Sequence, residues 1–199
     1  CIMTADKNRE NKSTLFLIMN TPSALMFADP SAIMNQLSIG TGCQVADFGC
    51  GSGFFSFEFA KRIGPEGTVY AFDILPAALE VVASQAKTLG LSNIISKRVN
   101  LERESGSGLA PQSMDWVVIK DILFQNKDKQ VILGEVSRVL KPGGHAILME
   151  WNPTESIVGP DVELRISPAE LRLLVEAVHL AVEKELSVGG FHYAFLVKK

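Results

Sequence analysis

The residues best suited by type and spacing to do chemistry stand in one stretch, Val45-Ala46-Asp47-Phe48-Gly49-Cys50-Gly51-Ser52-Gly53. An apolar run ends on a carboxylate, three glycines alternate, and a Phe-rich helical pattern follows. Glycine lets the backbone turn sharply and lets a ligand lie against bare main chain. A helix starting there points unpaired N–H groups into the turn. Two ligand classes fit poorly. The dinucleotide fingerprint needs a third glycine where Phe54 stands, and the phosphate-binding loop needs a Gly-Lys-Ser/Thr that is absent here. What remains is Gly-x-Gly-x-Gly behind an acidic residue.

The elements that must position this stretch follow from hydrophobic periodicity and turn residues. Asp29-Pro30 opens a helix with Ile33, Met34 and Leu37 on one face, closed by Gly40 and Gly42. Strands are expected over 44–48, 68–72 (ending at Asp73), 94–99, 114–119 and 146–150. Helices are expected between them. One carries Phe54, Phe55, Phe57, Phe59, Ala60 and Ile63, aromatic enough for burial on more than one side. A second starts at Pro76 with the face Leu79, Val82, Ala83 and Ala86. A third starts at Asn126 or Asp128 and stops at the turn Lys141-Pro142-Gly143-Gly144. Ser167-Pro168-Ala169-Glu170 is a capping box opening a fourth. Two final strands, 182–188 and 191–197, meet at Gly189-Gly190. Alternating strands and helices imply a parallel sheet covered on both faces. The last two strands are close enough for a hairpin, so one runs antiparallel.

Composition bounds the rest. The chain has 199 residues, 47% hydrophobic and 21% charged, with a formal net charge of -3. That length holds one domain with a full core. There is no basic excess to hold a nucleic-acid backbone. The three cysteines, Cys1, Cys43 and Cys50, form no C-x-x-C pair, which disfavours a disulfide framework or zinc site and suits a reducing, cytoplasmic setting. The apolar residues 14–28 follow Lys7, Arg9 and Lys12 as in a signal peptide, but Asn20 and Pro22 interrupt them. The expected organisation is an N-terminal arm over 1–28 and one domain over 29–199.

Four landmarks in order carry a resemblance: the Asp47–Gly53 stretch, Asp73 ending the second strand, Met114-Asp115-Trp116-Val117-Val118-Ile119, and Leu140-Lys141-Pro142-Gly143-Gly144. Over roughly residues 44–151 the chain resembles the class I S-adenosylmethionine-dependent methyltransferases, in the branch with the ubiquinone/menaquinone-biosynthesis and arsenite enzymes. The resemblance implies a Rossmann-like, doubly wound α/β fold: a mostly parallel seven-stranded sheet with an antiparallel C-terminal strand. It implies S-adenosylmethionine as cofactor. Asp47, Gly49, Cys50 and Gly51 would hold its methionine end, Asp73 its ribose hydroxyls and Ile74 its adenine face. Asn100 and Leu101 would meet the adenine edge, and Lys120 would contribute backbone, with its ammonium turned away or paired with a carboxylate. Asn100 and Lys120-Asp121 depart from the Asp and the Ser-Asn that the branch often has there.

Ligands of open parallel sheets sit beyond the carboxyl ends of the strands. That edge collects Asp47, Asp73, Asn100, Lys120, Asp121 and Glu150, and an antiparallel last strand would bring His192 to it. His192, with Tyr193 or Trp151, is therefore the candidate for an acceptor-pocket and catalytic residue, against the plainer reading of a half-exposed strand residue. His145 falls at the opposite edge. The favoured expectation is methyl transfer to a small molecule. A protein or RNA acceptor and a nucleotide-binding oxidoreductase stay open as alternatives. An arsenite acceptor needs several thiols, and no thiol cluster is apparent. Neither the sequence nor the resemblance points to a metal, and neither sets the oligomeric state.

Overall fold

The computed structural model describes residues 28–154, 156 and 158–199. Residues 1–27 of the expected N-terminal arm lie outside the described residues. Helix α1, Pro30–Met34, starts where Asp29 accepts from the Ser31 amide and Pro30 fixes the first turn. It ends sooner than the apolar spacing predicts; Leu37 still packs on the core from the following turn.

Seven strands form one sheet in the order β3-β2-β1-β4-β5-β7-β6. They are β1 Gln44–Phe48, β2 Thr68–Asp73, β3 Ile94–Arg98, β4 Met114–Lys120, β5 Leu140–Trp151, β6 Ala181–Leu186 and β7 His192–Lys198. β1 to β5 run parallel to their neighbours, β7 is antiparallel to β5, and β6 is antiparallel to β7. The expected mostly parallel sheet with an antiparallel C-terminal strand is present.

Helices cover both faces. α2 Phe54–Ile63 and α1 bury Phe55, Phe59, Ile63, Ile33 and Met34 against Trp116, Val118 and Ile147. Across the sheet, α4 Lys129–Val139 and α5 Pro168–Ala177 bury Ile132, Val136, Leu171 and Val175 against Val117, Leu148 and Phe195. α3 Pro76–Thr88 packs Val82 and Ala86 on Phe57 of α2 and Ala71 of β2. Three of the four phenylalanines of α2 are thus buried, in two clusters, whereas Phe54 is 66% exposed. Ala83 is exposed, contrary to the face predicted for α3.

The sequence Lys141-Pro142-Gly143-Gly144 is not a turn ahead of β5. β5 begins at Leu140, opposite Met114, and the register resumes with His145 opposite Trp116. The four residues are pushed out of the ladder as a bulge. Lys141 Nζ pairs with Asp115 Oδ1 at 2.7 Å, and Gly143 N donates to Lys199 O at 3.0 Å. A bulge and a turn share the same Pro/Gly chemistry, so local sequence does not separate them.

Candidate functional site

The glycine stretch hangs on the end of β2. The amides of Gly49 and Cys50 both donate to Phe72 O at 2.8 Å. Gly49 has φ +75°, and a Cβ there would lie 2.5 Å from Ile122 Cγ2. Only glycine lets the first bend press against the loop after β4. Gly51 has φ +50°, and a Cβ there would meet nothing within 4 Å among the described residues. Its side faces open space, the arrangement a backbone needs to receive a ligand directly.

The two carboxylates singled out in the sequence flank this bend. Asp73 accepts from Gly51 N at 3.0 Å through Oδ2 and from Leu75 N at 2.9 Å through Oδ1. A carboxylate has about four acceptor positions, so two backbone bonds leave room for further donors. Asp47 is buried and accepts from Ser56 Oγ at 2.6 Å. Burial pushes its carboxyl up to about 6, against the opposing pull of the Ser56 hydrogen bonds, with the Asp73 charge a smaller upward push.

A cavity of about 620 Å³ opens at this carboxyl edge. That lies inside the roughly 300–1,000 Å³ of ordinary ligand sites. Asp47, Gly49, Cys50 and Gly51 form one wall, Asp73 and Ile74 the next, and Asn100, Leu101 and Lys120 complete it. The fold thus brings all nine of these sequence-predicted residues to one space. Ile74 is held by Arg98, whose Nε donates to its carbonyl at 3.0 Å. Asn100 Oδ1 accepts from Glu102 N at 3.0 Å, so the amide closes its own loop while lining the cavity. The Lys120 ammonium is paired with Asp121. Burial pushes the Cys50 thiol far up, with the charges of Asp47 and Asp73 adding to it.

His192 stands elsewhere than expected. It faces Trp151 across β5 and β7, as predicted, but it is 5% exposed and does not line the cavity. Neither do Trp151 and Tyr193. The Trp151 and His192 rings pack with centroids 4.2 Å apart, and Tyr193 OH donates to Ile166 O at 2.9 Å. The loop after β5 lies over Trp151 instead of the cavity. Arg165 gathers it, donating to the carbonyls of Asn152, Thr154, Val158 and Pro160 and to Ser156 Oγ over 2.8–3.1 Å.

Sequence reasoning left unassigned several residues that line the cavity, among them Asp121, Ile122, Gln125 and Asn126. They belong to the link between β4 and α4, which carries a 3-10 turn over Leu123–Gln125. Behind it, Glu150 is buried and accepts from Leu123 N at 2.9 Å through Oε1. Its Oε2 is buried without a partner among the described residues. Burial pushes this carboxyl up to about 8, with the Asp121 charge adding to the shift and the amides of Leu123 and Phe124 opposing it. The only signal in the sequence was the acidic residues at two adjacent strand ends.

Among the described residues no helix is long and apolar enough to cross a membrane, and no metal-ligand cluster forms. The fold resembles a methyltransferase of Aquifex aeolicus described as dependent on S-adenosylmethionine. The TM-score is 0.79 at 23% identity, over 93% of this chain and 97% of that one. The demethylmenaquinone methyltransferase of Lactococcus lactis is 30% identical over 136 residues, 66% of this chain and 51% of the relative. The ubiquinone/menaquinone biosynthesis C-methyltransferase UbiE of Haemophilus ducreyi is 35% identical over 112 residues, 56% of this chain and 42% of the relative. An arsenite methyltransferase of Aquipseudomonas alcaligenes is 33% identical over 107 residues, 52% of this chain and 31% of the relative. The chain spans about half the length, or less, of these curated relatives. The methyltransferase-domain family itself matches residues 39–183, which hold β1 to β5, the glycine bend and most of the cavity lining. This chain therefore belongs to the methyltransferase-domain family, and its fold is the Rossmann-like one.

Proposed function

We propose that this chain binds S-adenosylmethionine at the carboxyl edge of its sheet and directs the methyl group to a small-molecule acceptor. The observation that carries this is the Gly51 amide bonded to the Asp73 carboxylate at the mouth of one cavity with Asp47. The bend offers bare backbone at Gly51, the carboxylate keeps acceptor capacity for a vicinal diol, and Ile74 and Leu101 give apolar walls for a flat base. On this reading Asp47, Gly49, Cys50 and Gly51 hold the methionine end, and Asp73 accepts from both ribose hydroxyls. Ile74 lies against the adenine, Asn100 and Leu101 border it, and Lys120 contributes main chain. The acidic lining suits a positively charged sulfonium.

When bound, the cofactor supplies an electrophilic methyl group, whose bond to sulfur breaks with the electron pair left on sulfur. The chain's part is to align the acceptor and exclude water. The relatives' names point to quinone-type and arsenite acceptors. Of the two described cysteines, one lines the cavity. Cys50 is part of the bend, and Cys43 lies at the opposite edge beside Asp115 and Lys141.

The test is thermal unfolding with S-adenosylhomocysteine and with NAD, since a ligand that binds only the folded state raises its melting temperature. Stabilisation by S-adenosylhomocysteine alone is expected. Stabilisation by NAD alone would transfer the site to dinucleotide chemistry.

A further inference from the structure

Asp121 stands at the carboxyl end of β4 with φ +57°, a left-handed conformation that costs a non-glycine residue strain. It is held there by its own amide, which donates to Met149 O at 3.0 Å, and by the contact of Ile122 with the glycine bend. The strained backbone turns the side chain to the cavity wall, where 17% of it is exposed. Behind it sits His192, whose Nε2 lies 3.2 Å from Oδ2 and 3.1 Å from Oδ1. Among the described residues His192 Nδ1 is buried without a partner, and the ring hydrogen bond seen there is aimed at Asp121. Lys120 pairs with the same carboxylate from the side. Among the described residues, the groups facing Asp121 are Lys120 and His192, with Glu150 beyond them, and Asp121 Oδ1 and Glu150 Oε2 are buried without hydrogen bonds.

Among the described residues lining the cavity, Asp47, Asp73, Glu102 and Asp121 are acidic, and Lys120 is the single cation, already bound to Asp121. An anionic acceptor would enter against that field, whereas a neutral O–H or N–H donor would find an acceptor in Asp121.

We propose that Asp121 binds the methyl acceptor through its O–H or N–H and takes that proton, with buried His192 acting as a positioning residue through Asp121. This rests on the methyl-transfer reading above and deepens it by naming the acceptor class: an uncharged phenol, enol or amine, not a carboxylate or phosphate. As the acceptor's heteroatom forms its bond to the methyl carbon, its O–H or N–H bond breaks and the proton passes to the Asp121 carboxylate, then to water. His192 keeps Nε2–H toward the carboxylate throughout.

The experiment uses the full chain, wild type and the variants Asp121→Asn, His192→Leu and His192→Gln. Calorimetry first measures S-adenosylhomocysteine binding. The loaded proteins are then titrated by ligand-observed NMR with three matched aromatic probes, phenol, aniline and benzoate. The wild type is expected to prefer phenol and aniline to benzoate by about tenfold or more, and Asp121→Asn to abolish the preference while still binding S-adenosylhomocysteine. His192→Leu should blunt the preference, and His192→Gln, which keeps a donor, should restore it. Methyl transfer to whichever probe is turned over should fall roughly 100-fold or more in Asp121→Asn, the usual worth of a general base. Nitrogen shifts of the His192 ring should report the Nε2–H form in the wild type. Equal binding of benzoate and phenol, no probe binding to the loaded wild type, or a preference that survives Asp121→Asn overturns the assignment of Asp121. Absence of S-adenosylhomocysteine binding to the wild type overturns the methyl-transfer reading itself, so the two failures are distinct.

Discussion

At the scale of single residues, Asp73 ties the glycine bend to the end of β2, because it accepts from Gly51 N and Leu75 N, and it still has acceptor capacity. Hydrogen bonds to a charged group contribute about 1.5–3 kcal/mol each. Replacing Asp73 with Ala is therefore expected to weaken S-adenosylhomocysteine binding by about 2–3 kcal/mol, roughly 30- to 150-fold in Kd by calorimetry. An unchanged Kd would remove Asp73 from the site. Gly49→Ala should act differently. It puts a Cβ 2.5 Å from Ile122 Cγ2 at φ +75°, so denaturant unfolding should show a loss of about 2 kcal/mol or more, from left-handed strain and overpacking together. Both residues were legible in the sequence, because a carboxylate closing a strand and a glycine in a bend are local features. Asp121 was visible only as a member of a strand edge. Its significance comes from His192, 71 residues away, and no local pattern links the two.

At the scale of elements, the loop between β5 and α5 has its own internal fastening. The Arg165 guanidinium satisfies carbonyls of four residues, and it lies 5.8 Å from the centroid of the Trp151 ring. Arg165→Leu removes these donors and leaves the carbonyls to find water. Stability is expected to fall by about 2–4 kcal/mol, toward the upper range of single-residue effects. Hydrogen exchange of residues 152–154 and 158–164 should quicken while the β1 and β4 amides keep their protection. The start of α5 offers a calibrated comparison. Ser167 Oγ accepts from Glu170 N at 3.1 Å, and Ser167→Ala should cost about 1 kcal/mol, the ordinary worth of an N-cap. That cap was readable from Ser167-Pro168-Ala169-Glu170 because capping needs only neighbours in sequence. The Arg165 knot was not, because its partners are carbonyls, which every residue carries.

For the whole molecule, the carboxyl edge concentrates acidic groups that the fold must hold against their preference for water. Asp47, at about 6, and Glu150, at about 8, both sit above the ordinary carboxylate range, first because they are buried. The sign follows directly. A carboxyl raised on folding favours the folded state while protonated, so its contribution is fully present below the ordinary carboxylate range. That contribution declines as pH rises toward the folded value and is lost once it is passed. Unfolding free energy is expected to fall from about pH 5 to pH 8, by an amount on the order of 3–5 kcal/mol from Glu150 alone. Glu150→Gln keeps an acceptor for Leu123 N and cannot ionise. It should flatten that part of the profile and melt higher than the wild type at pH 8. A variant whose profile keeps the wild-type slope would show that Glu150 is not the titrating group.

The sequence by itself determined the alternation of strands and helices, the glycine bend, the carboxylate that closes β2 and the family these imply. Each depends on periodicity, turn chemistry or a local motif, which are properties of neighbouring residues. It also determined that the last strand returns antiparallel and carries His192 to the edge. Only the tertiary structure decided that Lys141–Gly144 is a bulge inside β5, that Phe54 is exposed while its neighbours are buried, and that His192 lies behind Asp121. Those outcomes depend on register between strands and on which side chains compete for one desolvated space. Burial and charge pairing there are set by residues far apart in the chain.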